Sequence, residues 1–213
     1  MIPKKEEILA SLAQRHGAER QQKLNAATVA VCGLGGLGSN ISICLARAGV
    51  GRLILTDFDR VDISNLNRQQ YKADQIGRFK TEALAENLHE IMPYTELTTH
   101  TERITDNNLA ALLGEADIIC EAFDVAENKA MLVNGVLEQL PDKLLVSGSG
   151  MAGFGPANSI ATRRIGSQLI LCEDGSSDVS DGIGLVASRV MICAAHEAHA
   201  VIRLITGDTE TEN

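Results

Sequence analysis

Apolar positions along this chain change their period several times, and the changes outline alternating strands and helices. Thr28-Val-Ala-Val-Cys32 is a short unbroken apolar run, the pattern of a strand buried on both faces. The glycine-rich stretch GLGGLGSN follows at 33–40, and the spacing after it predicts a helix over 39–48, stopped by Gly49 and Gly51. Arg52-Leu-Ile-Leu-Thr56 is a second strand, so residues 28–56 form one complete βαβ unit, which a parallel pair requires. Ahead of it, residues 4–25 read as helix, with Ile8, Leu9, Leu12 and Leu24 apolar and Gly17 a break between two pieces.

Residues 57–79 carry no clear period and many polar side chains, the composition of a long functional loop with short helical turns. A helix is predicted over 80–91, ended by Pro93, then a strand near 95–101 and a short helix near 106–113. The run 116–123 is a buried strand, followed by a helix over 126–139 and a strand over 143–147. Two further strands, 158–164 and 167–172, joined by a tight Ile-Gly turn, predict an antiparallel extension of the sheet. The acidic stretch EDGSSDVSDGIG, 173–184, reads as a mobile loop, and 185–205 as a largely apolar final helix before a frayed tail. The fold class expected is α/β: a doubly wound, mostly parallel Rossmann-like sheet with an N-terminal helical arm.

At 213 residues the chain suits one domain: arm 1–27, core 28–150, and strands, loop and last helix over 151–213. A net charge of −9 argues against a nucleic-acid surface, since that affinity comes from clustered Lys and Arg. No apolar stretch reaches the roughly 20 residues of a bilayer span, and the N-terminus lacks a signal-peptide core, so a cytoplasmic protein with no membrane contact is expected. Five cysteines without a CxxC pair give no zinc site. Cys32, Cys44, Cys120 and Cys193 sit on apolar faces and read as core; Cys172, beside the acidic loop, also reads first as an inert core thiol, and by position is the candidate should a covalent step exist. His196 and His199 are three apart, not the four of a zinc protease helix.

A strand, GxGxxG and a helix bring backbone N–H groups to a phosphate, and with Asp57 further on the ordinary reading is a ribose-binding dehydrogenase. The next loop, DFDRVDISNLNRQ at 57–69, leads away from NAD: two carboxylates, an amide and a guanidinium cluster where such sheets bind ligands. Arg68 and Lys80 beside phosphates suit a phosphorus centre gaining charge, and Asp124 offers a hard oxygen ligand for Mg²⁺. A dehydrogenase leaves these three residues unexplained, and a catalytically dead scaffold would be expected to lack one of them.

GLGGLGSN at 33–40, DFDRVDISNLNRQ at 57–69, Lys80 after IGRF, and EAFD at 121–124 together resemble the ThiF/MoeB/HesA adenylyltransferases, bacterial relatives of the ubiquitin-activating enzymes. The resemblance runs from about residue 15 to the last helix. LNRQQY and GSGMAG at 148–153 are most similar to the short, zinc-free ThiF type of thiamine biosynthesis. It implies ATP bound at Gly33, Gly35, Gly36 and Gly38, with Asp57 on the ribose and Asp59 beside it. Ser64, Asn65, Arg68 and Lys80 would complete the nucleotide site, with Asp124 on Mg²⁺. It also implies a homodimer in which an arginine of the N-terminal helix reaches the partner's ATP; Arg15 is the first candidate and Arg20 the second. The substrate implied is the Gly-Gly terminal carboxylate of a small ubiquitin-like sulfur carrier. A molybdopterin carrier or a carboxylate on a modified tRNA base would use the same chemistry.

Overall fold

A computed structural model describes residues 2–177, 182 and 184–208. The stretches 178–181, 183 and 209–213, which include part of the expected mobile loop and the frayed tail, lie outside the described residues. The arm is two helices, α1 (Lys5–His16) and α2 (Ala18–Ala26), and the break falls at Gly17, whose φ of 87° no side chain adopts easily. Then come β1 (Thr28–Cys32), α3 (Gly36–Ala48), β2 (Arg52–Thr56), α4 (Lys80–Ile91), β3 (Glu96–His100) and α5 (Leu109–Leu113). They are followed by β4 (Ile118–Glu121), α6 (Ala126–Gln139), β5 (Leu144–Gly148), β6 (Ala161–Ile165), β7 (Leu169–Glu173) and α7 (Ala187–Thr206).

Seven strands form one sheet in the order β3-β2-β1-β4-β5-β7-β6. All pairings are parallel except β6 with β7, so the expected antiparallel extension is a single edge strand. The chain moves outward from β1 to β3, then returns to lay β4 on the other side of β1. That reversal opens a crevice at the carboxyl ends of β1 and β4, where ligands of open α/β sheets bind.

Strand side chains alternate between two cores. Val29, Val31, Leu53, Leu55, Ile118, Cys120 and Val146 face α3, α4 and α7, while Ala30, Cys32, Ile54, Ile119 and Leu145 face α5 and α6. Val29, Leu53 and Leu145 are fully buried, so both faces of the central strands are dry. This is why the strands read as continuous apolar runs rather than as alternation.

Several element ends shift by two or three residues from the sequence expectation, and two of the shifts have a clear local cause. α3 begins at Gly36 instead of 39, because the glycines turn straight into helix and Ser39 Oγ donates to the Gly35 carbonyl at 2.6 Å. β6 begins at 161 instead of 158, since Pro156 leads into a short 3-10 turn, Ala157–Ser159. Among the described residues no helix is long and apolar enough to cross a membrane.

Candidate active site

The glycine turn is built almost entirely from backbone. Gly33 closes β1 with φ of 88°, and a Cβ there would meet the Ala122 carbonyl oxygen and the Phe123 ring at 2.9 Å. A Cβ on Gly38 would fall 1.8 Å from the Gly33 carbonyl oxygen, and one on Gly36 would fall 2.9 Å from Val190 Cγ1. These three glycines are therefore demanded by the fold. Gly35 differs: a Cβ there would find only Gln69 Nε2, at 3.8 Å. The packing of the fold therefore does not account for a glycine at this position.

Leu34, between the glycines, is clamped at both ends of its peptide. Its N–H donates to Asp57 Oδ2 at 2.6 Å, and its carbonyl accepts from the Tyr71 hydroxyl at 2.7 Å. Asp57 lies 8% exposed at the end of β2, and its Oδ1 accepts the Asp59 N–H at 2.8 Å. Burial pushes the Asp57 carboxyl up, while Lys80 and the two backbone donors pull it down. Lys80 opens α4 as a nearly buried side chain, with Nζ 2.9 Å from Asp59 Oδ2 and 4.0 Å from Asp57 Oδ2. Its position is fixed because its own N–H donates to the Asp59 carbonyl and the preceding Phe79 ring stacks under the Arg60 guanidinium, 3.7 Å away.

Arg68 crosses the turn on its other side. Its Cγ and Cδ would lie 3.5 and 3.6 Å from a Cβ on Gly36, and Nη1 donates to the Ser64 carbonyl and to Asn67 Oδ1. Asn40, one turn into α3, holds the Arg68 carbonyl at 3.1 Å and the Gly36 carbonyl at 2.7 Å. Ser64 and Asn65 sit in a 3-10 turn capped by Asp62, with Asn65 Oδ1 accepting the Asp62 N–H. Gln69 places Nε2 beside Gly35, and its buried Oε1 has no hydrogen-bond partner among the described residues.

Asp124 is exposed at the carboxyl end of β4, beyond the contact between Gly33 and Ala122. Among the described residues no group of three or more His, Cys, Asp or Glu is gathered to hold a metal. A single carboxylate at a phosphate site still suits magnesium, which keeps waters and takes its other ligands from phosphates. The structure thus brings Gly33, Gly35, Gly36, Gly38, Asp57, Asp59, Arg68 and Lys80 around one crevice, with Ser64, Asn65 and Asp124 on its rim.

Arg15 does not join them. α1 packs at the amino end of the sheet, where Leu12 lies against Gly49, and Ile8 and Leu9 line a cleft with Val50, Met92 and Thr95. The length of a strand, about 16 Å at roughly 3.3 Å per residue, separates that end from the glycine turn. Arg20 is engaged with Asp208 at 2.7 Å. Cys172 is fully buried, with Sγ 3.6 Å from Thr162 Oγ1, which also contacts His196 Nδ1 at 2.9 Å, so its sulfur does not face the crevice.

A second polar group under the crevice was not marked in the sequence. Glu121, fully buried at the end of β4, accepts from Lys129, from the Ser147 hydroxyl and from the Phe123 N–H at 2.8 Å. Lys129 also donates to the Gly148 carbonyl at 2.8 Å. Glu197 of α7 is buried against Gly148 with neither carboxyl oxygen hydrogen-bonded among the described residues, and a Cβ on Gly148 would lie 2.0 Å from one of them. Burial pushes the Glu197 carboxyl well up, opposed by Lys129 and reinforced by Glu121. The available signal is helical spacing: Arg189, Cys193, Glu197 and Val201 recur every four residues, placing two charges on the core stripe of an apolar helix.

A profile of the ThiF family matches residues 9–213, and the chain belongs to that family. It is 30% identical over 207 residues to the adenylyltransferase and sulfurtransferase UBA4 of Lodderomyces elongisporus, covering 91% of this chain and 43% of that protein. It is 30% identical over 200 residues to the molybdopterin-synthase adenylyltransferase of Escherichia coli K12, covering 88% and 76%. The chain thus spans less than half the length of the UBA4 protein and about three quarters of the bacterial one. In fold it matches the crystal structure of E. coli tRNA N6-threonylcarbamoyladenosine dehydratase, TcdA, in complex with ATP, with TM-score 0.86, 20% identity and 98% of both chains covered.

Proposed function

We propose that this ThiF-family chain is an ATP-dependent adenylyltransferase whose substrate is the C-terminal glycine carboxylate of a small ubiquitin-like sulfur carrier, serving thiamine biosynthesis. The observation that carries the reading is the uncrowded backbone at Gly35, with the Gln69 amide nitrogen beside it, the Arg68 stem along Gly36 and Lys80 beyond Asp57. Backbone can approach a phosphate chain there, and cations stand beside it. The adenylyltransferase names of the two relatives support the reaction class, and LNRQQY with GSGMAG supports the thiamine branch.

In the reaction, a carboxylate oxygen attacks the α-phosphorus of ATP, the bond to the bridging oxygen breaks, and pyrophosphate leaves with the electron pair. The nucleophile is already ionised near neutral pH, so no general base is needed. Positioning and charge neutralisation do the work: Asp57 orients the ribose, and Arg68 and Lys80 meet the charge that develops on phosphate oxygens. Lys80 leaves Asp59 to do so. Asp124 would hold Mg²⁺, which when bound neutralises phosphate charge. On this reading the chain acts as a homodimer in which Arg15, remote from the crevice of its own copy, reaches the site of the second.

The test is carrier-dependent exchange of labelled pyrophosphate into ATP. Asp124→Ala is expected to lower that exchange by about 10²-fold or more without moving the melting temperature, since Asp124 is exposed. Near-normal exchange in this variant would remove the magnesium role. Activity on a modified tRNA in place of a carrier would replace the substrate assignment.

A further inference from the structure

α7 opens with a buried arginine that holds a different part of the rim. Arg189 is 3% exposed, and all five of its N–H donors are used. Nε donates to the Ala152 carbonyl at 3.2 Å, and Nη1 to the carbonyls of Gly155 at 3.0 Å and Pro156 at 2.7 Å. Nη2 donates to Ser159 Oγ at 3.2 Å and to Asp174. Asp174 in turn caps the next turn, accepting from the N–H groups of Ser176 and Ser177 and from the Ser177 hydroxyl. Both carboxyl ends, of β5 and of β7, are thereby fastened to one guanidinium.

The neighbouring residues of α7 face the phosphate side. Val190 packs against Gly36, and just ahead of the helix the Leu185 carbonyl accepts from Asn67, next to Arg68. Between its two anchor points, Ala152 and Gly155, the tethered segment presents Phe154 at 84% exposure. A buried ion pair is a poor way to gain stability, since apolar packing does as well. A planar donor with five N–H groups is instead the group that can fix several carbonyls in one geometry.

We propose that Arg189 is a positioning residue that holds segment 152–159 as the acceptor wall of the crevice and presents Phe154 to the incoming polypeptide tail. This rests on the acyl-adenylation reading above. Arg189 touches no reacting atom; it aligns the acceptor wall with the phosphate turn through Val190 and Leu185.

Two variants test it. Arg189→Lys keeps the charge for Asp174 but cannot reach three carbonyls, and Phe154→Ser alters an exposed side chain that the fold does not use. Each is expected to raise the KM for the carrier about tenfold while the KM for ATP and calorimetric affinity for a non-hydrolysable ATP analogue stay within about twofold. Arg189→Lys alone should also speed hydrogen exchange of amides 152–159. A parallel rise in both KM values, or no change in either, would overturn the proposal. Should the wild type show no carrier-dependent exchange, the adenylation reading fails by itself. Unchanged amide exchange at 152–159 in Arg189→Lys would then still refute the tether.

Discussion

On the β1–β2 side of the crevice the turn is held by close backbone packing and by separate single hydrogen bonds: Gly33 against Ala122, Gly38 against Gly33, and Leu34 between Asp57 and Tyr71. On the β5–β7 side several carbonyls of 152–159 are gathered by one long side chain, Arg189. Backbone contacts admit no alternative arrangement, whereas a guanidinium cage can be rearranged by changing a few residues. The difference separates the part of the site that every phosphate ligand needs from the part that meets a particular acceptor.

Gly38→Ala should break the first rim outright. The new methyl would lie 1.8 Å from a backbone oxygen that cannot move aside, so a loss of about 3 kcal/mol or more is expected in denaturant titration. A variant as stable as the wild type would show that this turn yields as readily as the opposite rim. Tyr71→Phe is gentler. It strips the Leu34 carbonyl of a buried partner, which should cost about 1–2 kcal/mol and raise the KM for ATP while leaving the carrier KM in place.

Glu197, beneath the β5 end, sharpens the contrast at the smallest scale. Its carboxyl is raised by burial, so the folded protein holds a proton that the unfolded chain releases above the ordinary value of 4.5. Stability from that proton is present at low pH and declines as pH rises. The fall in melting temperature between about pH 5 and about pH 8 should therefore be shallower in Glu197→Gln, which cannot ionise. An unchanged slope would mean that Glu197 is already ionised in the folded state.

Much of this was legible in the sequence for a physical reason: helices at 80–91 and 126–139 have unambiguous periods, and the observed bounds coincide with the expected ones. The start of α3 was hidden because glycines carry no helical signal, although here they continue directly into the helix. Asp57, Arg68 and Lys80 were visible because charged residues in an aperiodic loop, or just after one, at a strand's carboxyl end have few structural uses. Ser39, Asn40 and Tyr71 were not singled out; each bonds a backbone carbonyl, a role that residue type alone does not announce. Arg189 and Glu197 lie within a stretch that reads as a largely apolar helix, and their four-residue spacing gains meaning only against the core face.

Gly35 is the one glycine of the turn that the polypeptide itself does not need. An alanine there is expected to leave melting and core packing untouched and, on the adenylation reading, to act only on the nucleotide. Among descendants of this sequence, that position is where a gene could pass from enzyme to inert paralogue without any sign of it in expression or solubility.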